Sequence, residues 1–108
     1  MKAPTTQKEF YRIVNKKALL DYLKKGKPSA VAAGDYWRGC SYVVQGDGCL
    51  LYTYLKSMKI PFHFIGPWAI YFQGRAFKFS PAVYKLTHQI ANCTFAEARK
   101  ILKIKAAR

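Results

Sequence analysis

Acidic residues are what this chain has least of. Glu9, Asp21, Asp35, Asp47 and Glu97 are the five acids, set against nineteen Lys and Arg in 108 residues, for a net charge of +14. So few carboxylates argue against metal-assisted hydrolysis, which needs them clustered around its ions. Long apolar runs are also missing. No segment approaches the roughly 20 residues of a spanning helix, and Met1 to Glu9 has no apolar stretch of the kind a secretory signal carries. The expectation is a cytoplasmic protein that does not enter a membrane.

Cysteine and histidine are scarce as well. Cys40, Cys49 and Cys93 are an odd number without the spacing of a disulfide framework. Reduced, partly buried thiols are expected, as in a reducing compartment. With His63 and His88 these cysteines make up the soft ligand set, yet no Cys-x-x-Cys or His-x3-His pair occurs. Structural zinc sites nearly always show such close pairs, so neither metal nor cofactor is implied. Catalytic signatures are equally absent. There is no Gly-x-Ser-x-Gly elbow, and Gly46-Asp47-Gly48 is too short for a phosphate loop. A dyad of His88 with Cys93 or Cys40, or of His63 with Asp35, is the kind of pairing that chance supplies. The chain is expected not to be an enzyme.

What is present is apolar content and positive charge. Half the residues are hydrophobic (51%), enough for a real core and far more than a disordered basic tail would hold. The length suits one domain, residues 1–108. A soluble domain needs a net charge of only about 2 to 8 in magnitude, and any excess adds self-repulsion to the folded state. A polyanionic partner would relieve that repulsion.

Helix and strand signals alternate along the chain. Thr6 with Glu9 reads as a capping box, followed by Phe10, Ile13 and Val14 at helical spacing. Asn15 caps a second helix carrying Leu19, Leu20 and Leu23, and Gly26 and Pro28 close it. Ser29 to Gly34 is small and irregular. Arg38 to Gln45 reads as a strand. After the turn at Gly46-Asp47-Gly48, the choice lies between a hairpin return over Cys49 to Leu55 and a helix capped by Asp47. The helix is preferred because Leu51, Tyr54, Leu55 and Met58 keep its period. Phe62 to Ile65 is a further strand. Trp68 to Phe72 and Arg75 to Phe79 form a hairpin around Gln73-Gly74, with Trp68, Ile70, Phe72, Phe77 and Phe79 inward. Ser80-Pro81 starts a helix carrying Val83, Leu86 and Ile90. Thr94 with Glu97 starts the last one, Phe95 to about Lys105, with Ala98, Ile101 and Leu102 inward. The fold class is α+β: a small antiparallel sheet flanked by N-terminal and C-terminal helices.

Two constellations bear on function. The last two helices, separated by Asn92 to Thr94, have helix-turn-helix spacing, and the second offers Arg99, Lys100, Lys103 and Lys105 to phosphates. Its first turn holds only Thr94, Phe95 and Glu97, a poor set for reading bases. The same spacing suits an ordinary helical hairpin closing the core. Elsewhere, aromatics are interleaved with cations, as in proteins that stack single-stranded bases; Trp37 and Tyr71, near Arg38 and Arg75, are the candidate stacking rings. The other reading of those rings is core.

Together these readings give a nucleic-acid-binding protein, for DNA or RNA, that uses a basic surface built from both ends of the chain. Its expected contacts are Arg12, Lys16, Lys17, Lys24, Lys25, Arg38, Arg75, Lys78, Arg99, Lys100, Lys103, Trp37 and Tyr71. The terminal cations are expected to face solvent. The alternative is a small basic interaction protein or inhibitor that docks on an acidic protein surface. Oligomeric state is not legible from the sequence.

Overall fold

Short polar side chains punctuate the chain where its helices begin. The computed structural model describes residues 3–34, 48–66, 69–72 and 74–107. Helix α1 (Gln7–Ile13) starts at Thr6, whose hydroxyl accepts the Glu9 N–H at 3.1 Å. The reciprocal bond is displaced by one residue. The Glu9 carboxylate accepts from the Thr5 N–H at 3.1 Å and the Thr5 hydroxyl at 3.0 Å. Helix α2 (Lys16–Lys25) starts at Asn15, whose side-chain oxygen accepts the Ala18 N–H at 2.8 Å. The amide nitrogen of the same side chain donates to the Tyr11 and Arg12 carbonyls. One asparagine thus closes α1 and opens α2.

Helix α3 (Leu50–Ser57) is the element over which hairpin and helix competed, and the helical period prevails. It begins at Cys49 without a side-chain cap; Asp47 lies outside the described residues. Helix α4 (Pro81–Gln89) starts at Ser80, with Pro81 in the first turn where a missing N–H costs nothing. Helix α5 (Phe95–Leu102) has the complete capping box, Thr94 and Glu97 each accepting the other's backbone N–H.

Five strands complete the described elements: β1 (Val31–Ala33), β2 (Phe64–Ile65), β3 (Ala69–Phe72), β4 (Arg75–Lys78) and β5 (Cys93–Thr94). The antiparallel sheet β2-β3-β4 contains the expected hairpin, with Ile70 opposite Phe77 and Phe72 opposite Arg75. Gly74 at the turn has φ +81°, which glycine adopts without steric cost. Ile65, Ile70, Phe72 and Phe77 are buried on one face, while Tyr71, Ala76 and Lys78 are exposed on the other. The open edge of β4 is partly closed by a side chain. Gln7 donates to the Lys78 carbonyl at 3.0 Å and accepts the Lys78 N–H at 3.2 Å, taking the place of a neighbouring strand.

The second sheet, β1 with β5, was not expected. Ser29 to Gly34 reads as irregular and Asn92 to Thr94 as a turn, yet Val31 pairs with Thr94 and Ala33 with Cys93 across a bulge. Neither segment is long enough to show alternation, so only their pairing reveals them as strands. The expected strand Arg38 to Gln45 lies outside the described residues, as does Trp68.

Phe10 gathers the aromatic core beneath the larger sheet, stacking on Phe77 at 5.6 Å and meeting Phe72 edge-on at 6.3 Å. A second group joins α2, α3 and α5: Tyr22 meets Tyr54 at 5.3 Å and Phe95 at 5.2 Å. Both groups belong to one hydrophobic cluster. Gly26 has an unforeseen role here. It ends α2 with φ −67°, not in the left-handed region, and a Cβ there would lie 2.0 Å from the Phe95 ring. The glycine admits close approach and is not a left-handed cap. Ile101, expected inward, is 48% exposed because α5 turns Phe95, Ala98 and Arg99 to the interior. Among the described residues, no helix is long and apolar enough to cross a membrane.

The caps make stability sensitive to acid. The backbone bond from Thr94, then that from its side chain, holds the Glu97 carboxyl below its ordinary range. Thr5 does the same for Glu9, again chiefly through its backbone N–H. A depressed carboxyl contributes fully above its unfolded pKa, and the contribution is lost as pH falls through the folded value. The melting temperature should therefore fall as the pH drops below the ordinary carboxylate range. Gln keeps the cap without titrating, so Glu9→Gln with Glu97→Gln should flatten that fall. An unchanged acid slope in the double variant would show that other groups govern it.

Candidate nucleic-acid interface

The acids of the described residues neutralise little of the basic charge. Glu9 and Glu97 are engaged in helix caps. Asp21 pairs with Lys17 at 3.2 Å, the one ion pair among the described residues, and both side chains are well exposed. Pairs of that kind contribute about 0–1 kcal/mol. Asp35 and Asp47 lie outside the described residues.

Most of the expected contacts do face solvent. Arg12, Lys16, Lys17, Lys25, Arg75, Lys78, Lys100, Lys103 and Tyr71 are exposed, and Lys24 is half-buried. Arg38 and Trp37 lie outside the described residues. The two basic ends of the chain are neighbours, since α2 packs against α5 and the Ala107 N–H donates to the Lys24 carbonyl at 2.9 Å. Lys16 and Lys17 open α2, Lys24 and Lys25 close it, and Lys100, Lys103 and Lys105 follow on α5 and its tail. Lys85 of α4 lines a groove together with Lys16. Its place was missed because α4 was read from its apolar stripe alone.

Arg99 is a correction. Expected as a solvent-facing phosphate ligand, it is 7% exposed. Its Nη1 donates to the Leu23 and Gly26 carbonyls at 2.9 Å each, with the Lys24 carbonyl at 3.5 Å. These are the carbonyls that the end of α2 leaves without intrahelical partners, at the negative pole of its dipole. The guanidinium is a structural cap.

The connection between α4 and α5 also differs from a free turn. Cys93 and Thr94 are held in β5, and the inner face of α5 is buried through Phe95, Ala98 and Arg99. Thr94 and Glu97 are committed to the capping box. The first turn of α5 thus has little to offer a base edge, whereas Lys100 and Lys103 beyond it remain exposed.

Four lysines occupy positions where they cost stability. Lys16 and Lys17 begin α2 at its positive pole, with no acid in that turn. Lys59 and Lys103 have φ of +56° and +57°, where a side chain is strained by about 1–2 kcal/mol and glycine is not. Each follows a helix closed by a bond from the next residue, Ile60 N–H to the Leu55 carbonyl and Ile104 N–H to the Arg99 carbonyl.

A second basic area surrounds α1 and β4. Arg75 donates to the Thr5 carbonyl at 2.6 Å, and Lys78 flanks Gln7, which places both beside the start of α1. Tyr71 stands on the outer face of the sheet opposite Ala76, with Lys78 on the same face. Tyr11, exposed on α1, was not foreseen because its neighbours Phe10 and Ile13 read as core.

The candidate chemical groups are occupied structurally. Burial pushes up the Tyr22 and Tyr54 phenols, and Tyr54 donates to the Ile13 carbonyl at 2.6 Å. Burial, then Glu97, raises the Cys93 thiol, the reverse of an activated nucleophile. Cys49 and Cys93 are both buried; Cys40 lies outside the described residues. Among the described residues, no three His, Cys, Asp or Glu side chains gather as a metal would require. Comparison with protein-family models, curated proteins and solved structures finds no match.

Arg99 and Lys100 are adjacent in sequence and should behave in opposite ways. Arg99→Met should lower stability to urea by about 2–4 kcal/mol, since buried carbonyls lose a charged donor. Lys100→Glu should change it by no more than about 0.5 kcal/mol. Similar unfolding midpoints for the two variants would remove the capping role.

Proposed function

We propose that this protein binds nucleic acid through the basic surface formed by α2, α5 and the tail after α5. The observation that carries the reading is a net charge of +14, with lysines placed where they destabilise the fold, at the start of α2 and after α3 and α5. Phosphates are met by flexible ammonium groups, and the counterions they displace supply the driving force. The arrangement suits backbone contact. With Arg99 buried and the start of α5 capped, base readout has few groups to work with. The exposed Tyr71 face, which also carries Lys78, adds one ring on which an unpaired base can stack.

Fluorescence anisotropy with matched duplex and single-stranded DNA and RNA over a salt series tests this reading. Affinity should fall with a logarithmic slope of about −0.9 per duplex phosphate contacted, or about −0.7 for single strands. If Tyr71 stacks bases, Tyr71→Ala should weaken single strands more than duplex. Absence of binding at low salt, or a flat salt dependence, would overturn the proposal.

Lys16→Glu separates function from fold. An acid at the positive pole of α2 should stabilise the protein by about 0.3–1 kcal/mol while weakening oligonucleotide binding. Calorimetric melting and anisotropy on the same sample check both signs. A variant that is more stable and binds as before would exclude Lys16 from the interface.

A further inference from the structure

Between α2, α4 and the end of α5 lies a groove of about 510 Å³. That volume falls within the roughly 300–1,000 Å³ range of ligand pockets. Its floor is hydrocarbon, formed by Leu20, Leu86, Leu102 and Ile104. Leu86 is buried there, whereas the other three remain half-exposed along the groove. Lys16 and Lys85, both exposed, also line it, and no acid among the described residues does. Lys16 stands in the first turn of α2, so the positive pole of that helix adds to the field at this end.

Phosphates and sugars would be satisfied by the lysines and would leave the aliphatic floor uncovered. The combination of an apolar floor with cations beside it matches a ligand with apolar side chains flanked by carboxylates. We infer that this groove docks an acidic amphipathic helix of a partner protein. Its apolar side chains, at i, i+4 and i+7, would cover Leu20, Leu102 and Ile104, and its Asp or Glu residues would meet Lys16 and Lys85. Apolar contact holds such a helix, and the +14 charge steers it in. The inference stands apart from nucleic-acid binding because it rests on the hydrocarbon floor.

Isothermal titration of the whole protein tests it with three probes. They are a synthetic helix with leucines at i, i+4 and i+7 among glutamates, a permuted peptide of the same composition, and a DNA duplex. Ala82 and Gln89 line the groove and are exposed on α4, so Ala82→Trp and Gln89→Trp can each obstruct it without entering the core. The ordered peptide should bind at least about tenfold more tightly than the permuted one. Either tryptophan variant with an unchanged circular dichroism spectrum, and Lys85→Glu, should weaken it about tenfold. Equal binding of ordered and permuted peptides would reduce the interaction to charge and overturn the inference. So would ordered-peptide binding that survives a tryptophan block, or a block that removes only the duplex.

Discussion

The guanidinium of Arg99 joins the two basic ends of this protein. It reaches from α5 to the last carbonyls of α2, where Leu23 and Gly26 accept its hydrogen bonds. In a chain of net charge +14, a buried cation faces both a desolvation cost and repulsion from its own kind. The negative end of a helix offsets both, since its carbonyls need donors and its dipole favours positive charge. Phe95, one turn earlier on α5, packs on Gly26 so closely that no Cβ fits there. The contact between α2 and α5 is thereby specified by a ring on a glycine and a charge on carbonyls. The shared basic surface and the groove beside α4 both depend on it.

Around that junction, charge is kept at the expense of stability. Lysines open α2 where acids would help, and lysines follow α3 and α5 where glycine would relieve strain. The Glu9 and Glu97 carboxylates are committed to helix caps. A fold selected for stability alone would place its charges otherwise. This pattern is what supports an anionic partner, and it separates the proposed role from mere solubility, for which a much smaller net charge suffices.

The same surface carries two kinds of chemistry. Exposed ammonium groups along α2 and α5 suit phosphates, whose positions they follow without demanding geometry. The groove between α2 and α4 adds aliphatic side chains, which phosphates do not satisfy. Lys16 belongs to both areas, so a nucleic acid and an acidic helix would contend for it. The outer face of the larger sheet, with Tyr71 and Lys78, lies on different elements, beside the edge of β4 that the Gln7 side chain closes.

Local chemistry was written in the sequence and proved readable. Thr6, Asn15, Ser80 and Thr94 mark helix starts because each carries its own acceptor to amides two or three residues on. The hairpin at Gly74 was legible because a positive φ and strict alternation need no distant partner. The basic character of both ends was equally plain. What only the tertiary structure decided involves residues far apart in the chain. β1 and β5 are too short to show a period, and they become strands only by meeting each other. Arg99 has the same side chain as any surface arginine, and its burial depends on where α2 ends against α5. Gly26 ends α2 as its sequence suggests, but its contact with the Phe95 ring appears only on folding, and Lys85 looks incidental until α4 settles beside Lys16. Sequence reports the preferences of a residue among its near neighbours, whereas burial, pairing and the grouping of charge are set by contacts that exist only once the chain has folded.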